Sequence, residues 1–403
     1  MRKFSKGPAA LVLNAGYAGL AAIRGLGRAG VEVHAMDHTY GPGLASRYAV
    51  ATTICPDPLN EDSELLQTLL EYRTKFAESP VVYPASDAFF EFVSNNRDAL
   101  SPLYRLALPP ASLSAAAIDK RKQYELAAAT GIPFPRTVYP ATFNDVREVM
   151  NSIVYPVFIK PIVGHTWRRH FLGKGFLIEN SSDLLATYLE ILPTGLETMI
   201  QSYIVGPPTD MHSVALYRTK DGRYLGHFVA RKIRQSGEDA GVGTLMESCN
   251  DEELVDMSIR FVNAMNYHGI AELEFKRDSR DGIRRLIELN PRLWLQAQLA
   301  SDAGVNFAKI QYNDLTDRAP DPVFPSRKGF IWLDWVADYQ SCRLAHKKGQ
   351  LSLYAWLRSW ISARSYATFA GDDPKPFYVS SRPAIQGMLK NAMARIRRLC
   401  GLK

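Results

Sequence analysis

The first 86 residues alternate between short apolar runs and longer amphipathic segments, and this alternation constrains the fold more than any other feature. "AALVLNAG" (9–16), "VEVHAMD" (31–37) and "PVVYPAS" (80–86) have the length and apolar content of buried strands. The intervening "YAGLAAIRGLGRAG" and "ELLQTLLEYRTKFA" predict helices. Strands and helices in alternation predict a parallel sheet with helices on its faces, which we assign to residues 1–113.

The turn after the first strand, "NAGYAG", partly matches the glycine-rich fingerprint of dinucleotide-binding proteins. That fingerprint places three glycines as G-x-G-x-x-G, so that the backbone can approach a pyrophosphate. Asn14 occupies the first glycine position here, Gly16 and Gly19 occupy the other two, and Asp37 ends the second strand. The partial match favours a tight strand–helix turn, with NAD or FAD binding as the alternative.

Composition excludes several classes of protein. The 403 residues are 46% hydrophobic and 22% charged, which is ordinary for a globular protein of two or three domains. The four cysteines form no C-x-x-C pair, which argues against a disulfide framework or a zinc site and favours a cytoplasmic location. The net charge of +7 is too small and dispersed to indicate nucleic-acid binding. No run approaches about 18 apolar residues, so we expect no membrane-spanning helix.

From residue 114 the pattern changes to strands and helices of an α+β type. "IDKRKQYELAAATG" predicts a helix, and "YPVFIKPIV" and "FLIEN" predict strands around the basic hairpin loop "GHTWRRHFLGKG". "GIAELEFKRD" and "RRLIELN", joined by turn residues, predict a hairpin. We divide the remainder into 114–190, 191–316, and a Pro-rich linker with a basic helical extension at 317–403.

The predicted hairpin carries four oxygen-bearing side chains on one surface. Glu272 and Glu274 are two residues apart on one strand, and Glu288 and Asn290 are two apart on the other, so each pair shares a face. An isolated E-x-N pair is typical of a solvent-facing edge strand. Together the four residues suit Mg²⁺, which proteins hold with one or two carboxylates while substrate phosphates complete the coordination.

Basic residues precede this hairpin in a particular order. Lys120 begins a helix, and Lys160 ends an apolar strand 40 residues later, where a rigid element would aim its ammonium group. The loop 164–175 combines glycines with cations, as flaps over phosphates do. Each feature alone is weak evidence, and an isolated lysine of this kind is better explained as exposed surface. The order of lysine, lysine–proline, Gly-rich basic loop, acidic strand and acid-x-Asn strand is more specific.

That order resembles the ATP-grasp superfamily, in particular its carboxylate–amine ligases, over about residues 1–315. The resemblance implies an α/β and α+β chain in which a Rossmann-like domain precedes two subdomains that clasp ATP. It implies contacts to ATP from lysines, the flap, the hinge that holds adenine and an acid that holds the ribose: Lys120, Lys160, Gly164, Gly173, Lys174, Gly175, Gln201, Ser202, Tyr203, Ile204 and Asp210.

The same resemblance implies one or two Mg²⁺ ions, with Mn²⁺ as an alternative, held by Glu274, Glu288 and Asn290. Arg292 matches an arginine near the transferred phosphoryl group. Lys232 and Arg234 fall on one face of "ARKIRQ"; we expect them to contact phosphate or a substrate carboxylate, unless the strand is simply exposed.

The implied reaction joins a carboxylate to an amine, such as an amino acid, through an acyl phosphate, and converts ATP to ADP and phosphate. Biotin-carboxylase-like carboxylation and a nucleotide-binding protein without catalysis are the alternatives, and a homodimer is left open. Residues 386–403 hold five Lys and Arg and no acid. They predict either a helix docked on the body or a helix in peripheral contact with a membrane.

Overall fold

The computed structural model describes residues 7–167, 169–237, 240–318, 322–324 and 327–399. The side chains of 165, 388–392 and 394–399 lie outside this description. The amphipathic face expected over 386–403 therefore falls mostly outside the described residues.

The first domain contains the expected parallel sheet. Its strands are β1 (Ala10–Leu13), β2 (Val33–Asp37), β3 (Ala49–Ile54) and β4 (Val81–Pro84), in the order β3-β2-β1-β4. Its helices are α1 (Tyr17–Arg28), α2 (Asp62–Tyr72), α3 (Asp87–Asn95), α4 (Arg97–Leu100) and α5 (Ala111–Ser114). The strand β3 was not predicted, because it is an edge strand whose residues alternate between half-buried and exposed.

The turn between β1 and α1 is closed by the chain itself. Asp37, which a dinucleotide site would use for ribose, accepts a hydrogen bond from the backbone N–H of Ala15 at 2.7 Å. A Cβ at Gly19 would lie 1.9 Å from the backbone oxygen of Asn14, so helix α1 packs against this turn only with glycine there. Both observations support a tight strand–helix turn.

A second sheet of four strands follows. Its elements are α6 (Lys120–Ala129), β5 (Thr137–Val138), α7 (Phe143–Val149), β6 (Val157–Pro161), α8 (Gly164–Trp167), β7 (Phe176–Ile178), α9 (Ser181–Ile191) and β8 (Thr198–Ser202). The strands are antiparallel in the order β5-β8-β6-β7. Strand β8 thus belongs to this sheet although it follows the boundary expected at residue 190. Helix α8 begins what was expected to be a loop, because Trp167 is buried against Phe171 and Phe176.

The third sheet has seven strands. The elements from residue 211 are β9 (Met211–Arg218), β10 (Tyr224–Gln235), β11 (Gly243–Cys249), α10 (Glu252–Ala264), β12 (Gly269–Arg277), β13 (Arg284–Asn290), α11 (Ala297–Asp302), α12 (Phe307–Leu315), β14 (Ile331–Leu333), α13 (Trp335–Lys347), α14 (Leu353–Ile361), β15 (Ser365–Tyr366) and α15 (Lys375–Leu399). The order is β13-β12-β9-β10-β11-β14-β15. The hairpin β12–β13 is confirmed, with Glu272 opposite Asn290 and Glu274 opposite Glu288.

The C-terminal segment is more than the helical extension expected. Its strands β14 and β15 continue the third sheet, with β14 pairing to β11. The chain then returns to the first domain, where the buried Asp373 forms an ion pair with the buried Arg24 of α1 at 3.0 Å. Within the described residues, no helix is long and apolar enough to cross a membrane.

Candidate active site

A cavity of about 650 Å³ lies where the three sheets meet. The first domain contributes residues at the carboxyl ends of β1, β2 and β4, namely Asn14, His38, Ser86 and Asp87. Strands β2 and β4 flank β1 on opposite sides, and ligands of open α/β sheets bind where strand order reverses in this way. Most of the predicted site residues line the same cavity: Lys120, Lys160, Gly164, Gly173, Lys174, Gln201, Ser202, Tyr203, Ile204, Lys232, Glu274, Glu288, Asn290 and Arg292.

Glu274 and Glu288 form the acidic face of the cavity. The Nζ atom of Lys120 lies 3.4 Å from one oxygen of Glu288, and the Nζ atom of Lys174 lies 3.8 Å from the other. Burial disfavours the charged form of Glu288, but the charges of Lys120, Lys174 and Lys160 outweigh it and lower the pKa of this carboxyl. Glu288 is therefore ionised at neutral pH.

Glu274 has an unsatisfied oxygen. Its buried Oε2 atom accepts no hydrogen bond from any described residue and lies 3.9 Å from Nζ of Lys174. A buried carboxylate oxygen without a hydrogen-bond donor is costly unless a cation or ligand satisfies it. Glu274 therefore fits a position that a metal ion or ligand completes.

Glu272 has a different role from its neighbours. It is 1% exposed, and burial followed by the charge of Glu274 raises its pKa to about 8. Its carboxyl accepts hydrogen bonds from the Ser213 hydroxyl and from Nδ2 of Asn290, the latter at 2.7 Å. Glu272 thus orients Asn290 and turns its Oδ1 atom toward Arg292, whose guanidinium donates to it at 3.1 Å.

Arg292 is held by a residue that sequence reasoning missed. Its Nε atom donates to Oδ1 of Asp87 at 2.6 Å. Burial opposes the charge of Asp87, but the guanidinium of Arg292 outweighs it and lowers the pKa of the carboxyl. Asp87 begins α3 shortly after β4 ends. A carboxylate at the carboxyl end of a strand was the one feature of the sequence that could have identified this residue. The ion pair joins the first domain to the end of β13.

Lys160 and Lys232 are two of the buried cations that line the cavity. Lys160 is 7% exposed and donates to the Tyr124 hydroxyl at 3.2 Å. Lys232 is 5% exposed and donates to the backbone oxygen of Gly241 at 2.9 Å. Burial lowers the pKa of each ammonium group to about 8, against the opposing effect of the nearby glutamates. An anionic ligand would stabilise the charged form of both ammonium groups.

Three predicted residues do not line the cavity: Gly175, Asp210 and Arg234. Arg234 donates two hydrogen bonds of 2.9 Å to the buried Asp338 in α13. The register of β10 against β11 shifts on both sides of Arg234, so this residue does not follow Lys232 into the cavity. The structure therefore places Arg234 against Asp338 and not at the cavity, where the sequence led us to expect it.

Asp210 and Gly175 lie beside the cavity. Oδ1 of Asp210 is 3.9 Å from Nε of Arg277, so the ribose contact expected of Asp210 has no support in the lining. Gly175 has φ +153°, and a Cβ there would lie 2.2 Å from the backbone oxygen of Ile159. Gly175 therefore allows the end of the flap to pass close to β6, while Gly173 and Lys174 face the cavity.

The predicted hinge begins at the end of β8. Gln201 lines the cavity, and its side-chain amide donates a hydrogen bond to the Thr137 hydroxyl at 3.0 Å. The backbone N–H groups of Ser202 and Tyr203 donate to Arg136 and Pro156. These bonds fix the backbone of the hinge against the second sheet, next to the aromatic ring of Tyr203.

The residues present fit a Mg²⁺ ion. Among the described residues, no group of three or more His, Cys, Asp and Glu side chains is arranged to hold a metal. Glu274 and Glu288 supply two carboxylates and Asn290 an amide oxygen, which matches a metal that takes its other ligands from phosphates and water. The unsatisfied Oε2 of Glu274 is the observation that supports this fit.

No family model matches the chain, but several known proteins resemble it in sequence. The D-aspartate ligase of Enterococcus faecium (strain Aus0004) is 22% identical over 275 residues, which are 65% of each chain. The D-alanine–D-alanine ligase of Pseudomonas putida (strain GB-1) is 20% identical over 190 residues, 44% of this chain and 55% of the ligase. The chain therefore spans a little under two thirds, and a little over half, of these relatives.

Solved structures share the fold over most of its length. N5-carboxyaminoimidazole synthetase from Staphylococcus aureus superposes with a TM-score of 0.64 at 13% identity, covering 86% of this chain and 87% of the synthetase. The structure of that synthetase complexed with ADP has a TM-score of 0.61 at 15% identity, covering 83% and 82%. The expected fold is confirmed: the chain has the ATP-grasp fold.

Proposed function

We propose that the protein is an ATP-dependent ligase that joins a carboxylate to an amine through an acyl phosphate. The observation that carries the proposal is the acidic face of Glu274 and Glu288, set among three lysines in a cavity between all three sheets. Paired carboxylates that are neutralised only in part by lysines match a metal–triphosphate complex. The relatives named as ligases, and the neighbour with bound ADP, support this choice.

ATP would lie between the second and third sheets. Lys120, Lys160 and Lys174 would neutralise its phosphates, and the hinge from Gln201 to Ile204 would hold the base. Mg²⁺ would be held by Glu274, Glu288 and Asn290, where it would draw negative charge from the phosphate oxygens. We propose one or two bound Mg²⁺ ions, with Mn²⁺ as the alternative, and an acid that holds the ribose. We also propose that the chain divides into four parts, 1–113, 114–190, 191–316 and 317–403.

The reaction has two steps. A carboxylate oxygen of the first substrate attacks the γ-phosphorus, the bond from this phosphorus to the β,γ-bridging oxygen breaks, and ADP leaves. The amine nitrogen of the second substrate then attacks the acyl carbon, phosphate leaves, and the nitrogen loses a proton to give the amide. Arg292, held by Asp87, would stabilise negative charge on the acyl oxygen and phosphoryl group. The protein acts mainly by positioning and neutralisation.

The test is ADP release from pairs of carboxylates and amines, with detection of the amide by mass. We expect sustained ADP release to require both substrates, because the acyl phosphate is consumed only when the amine attacks it. Glu288→Gln should reduce this release at least about a thousandfold, because the variant loses a metal ligand and its charge. Glu253→Gln is the control, because Glu253 is exposed in α10. Full ADP release by Glu288→Gln would contradict the site.

The same assay distinguishes the alternatives. ADP release that requires bicarbonate and biotin, without an amine, would indicate a carboxylase. Nucleotide binding without ADP release, whichever carboxylate and amine are supplied, would indicate a binding protein without catalysis.

A further inference from the structure

Charge is divided unequally along the chain. Residues 339–403 contain twelve Lys and Arg against two acidic residues, whereas residues 1–338 contain 36 against 39. No acidic residue occurs between Asp338 and Asp372. The two acids of the segment face the first domain, where Asp372 pairs with Arg28 and Asp373 with Arg24. On α13 and α14 themselves, the exposed charged side chains are the cations Arg343, Lys347 and Arg358, because Asp338 is buried.

Helix α14 presents an apolar stripe to solvent. Leu353, Tyr354, Leu357 and Ile361 are exposed by 54, 73, 50 and 77%. At 3.6 residues per turn, these four positions fall within about 100° of the helix circumference. Large apolar side chains grouped in this way mark a surface that contacts something else. Arg358 is exposed beside the stripe.

The opposite face of α14 is anchored to the body of the protein. Nε1 of Trp360 donates to Asp338 at 2.7 Å, and the Ser359 hydroxyl accepts a hydrogen bond from Arg234 at 2.7 Å. The ring of Trp356 lies 5.7 Å from that of Tyr339 in α13. These contacts hold the helix in one orientation and leave its apolar stripe outward. The stripe is thus a fixed part of the folded protein.

We propose that the outer face of α13 and α14 docks on the surface of a bilayer that contains anionic lipids. Helices that lie in a membrane interface combine an apolar stripe with flanking Lys and Arg. Here Arg358 is exposed next to the stripe on α14, and Arg343 and Lys347 are exposed on the adjacent helix α13. The apolar side chains enter the boundary of the acyl chains, and the cations meet the lipid phosphates.

Charge distinguishes this partner from a second copy of the chain. A symmetric dimer through this face would bring two cationic surfaces together, which is unfavourable. Among the described residues, none that lines the cavity belongs to α13 or α14, so the docking face is separate from the cavity. The inference does not depend on the proposed ligase activity.

The test is co-sedimentation of the full chain with vesicles. We expect binding to phosphatidylcholine vesicles with about one third phosphatidylglycerol, and weaker binding at high salt or to pure phosphatidylcholine. Leu357→Glu with Ile361→Glu should weaken binding at least about tenfold, since two apolar anchors become acidic. Leu189→Glu is the matched control, because Leu189 in α9 is exposed by 52% and lies outside this face.

A second variant tests the electrostatic part. Arg343→Glu with Lys347→Glu should weaken binding at least about tenfold, while the far-UV circular dichroism of every variant stays that of the parent. The proposal is overturned if the parent does not sediment with anionic vesicles, or if the Leu357/Ile361 variant sediments as the parent does. A parent dimer that this variant converts to a monomer, measured by light scattering, would assign the face to a second copy instead.

Discussion

The behaviour of the site depends on how burial and neighbouring charges act on single residues. Glu288 is ionised because three lysines outweigh its burial, whereas burial and the charge of Glu274 raise the pKa of Glu272, two residues before Glu274, to about 8. Lys160 is a buried cation whose pKa falls to about 8. Residues of one type thus differ in charge at neutral pH because their surroundings differ.

We expect nucleotide affinity to fall as the pH rises above about 8. Burial lowers the pKa of Lys160 to about 8, so the free protein loses this charge there, and the anionic phosphates bind the protonated form. The dissociation constant of ATP should rise by up to about tenfold per pH unit. Lys160→Arg should flatten the dependence, because a guanidinium stays protonated.

Isothermal titration calorimetry between pH 7 and pH 9.5 would measure this. Lys232→Arg is the comparison, since the pKa of Lys232 also falls to about 8. An unchanged pH dependence in Lys160→Arg would show that Lys160 does not carry it.

At the scale of elements, one irregular strand determines where two cations go. The alternation of β10 predicts Lys232 and Arg234 on one face, but the register against β11 shifts on both sides of Arg234. A shift of one residue reverses the direction of the side chains that follow. Lys232 therefore lines the cavity, whereas Arg234 connects β10 to α13 through Asp338.

Arg234→Met should destabilise the protein by about 3–5 kcal/mol, because the buried carboxylate of Asp338 loses its cation. Arg231→Met should cost less than about 1 kcal/mol, since Arg231 pairs with Glu247 near the surface. Chemical denaturation followed by circular dichroism would measure both. Asp338→Asn in the Arg234→Met background should recover part of the loss.

ADP release by the folded fraction separates this role from catalysis. A fully stable but inactive Arg234→Met protein would show that Arg234 acts in the reaction and not in stability.

At the scale of the whole molecule, the C-terminal segment holds the domains together. Strands β14 and β15 extend the third sheet, and the chain then reaches back to α1 of the first domain. Asp373 also accepts hydrogen bonds from the Ser46 hydroxyl and the backbone N–H of Arg47. The ion pair of Asp87 with Arg292 joins the same domains beside the cavity. The geometry of the site therefore depends on contacts between residues far apart in sequence.

Asp373→Ala should lower the free energy of unfolding by about 3–5 kcal/mol, because it leaves the fully buried guanidinium of Arg24 without its carboxylate. Asp372→Ala should cost about 1 kcal/mol or less, because its partner Arg28 is partly exposed. Urea denaturation of both variants would compare the neighbouring positions. Equal losses would mean that burial of the ion pair is not what matters.

The local pattern of the chain was sufficient for the parallel sheet of the first domain and the hairpin β12–β13. That Lys120, Lys160, Glu274 and Glu288 would meet at one cavity was expected only from the resemblance to the ATP-grasp superfamily. Periodicity and turn residues act over a few neighbours, so such elements can be inferred without knowing the rest of the molecule. The edge strand β3 and the short strands β14 and β15 were missed because their local signals are weak.

Tertiary structure alone decided which charges face one another. The pairing of Arg292 with Asp87 joins residues 205 positions apart, and that of Arg234 with Asp338 joins residues 104 apart. The raised pKa of Glu272 likewise depends first on its burial in the folded protein. Sequence therefore determined which chemical groups this protein carries on which elements. Their partners and protonation states followed from folding, because electrostatic energy depends on distance and solvent exposure in three dimensions.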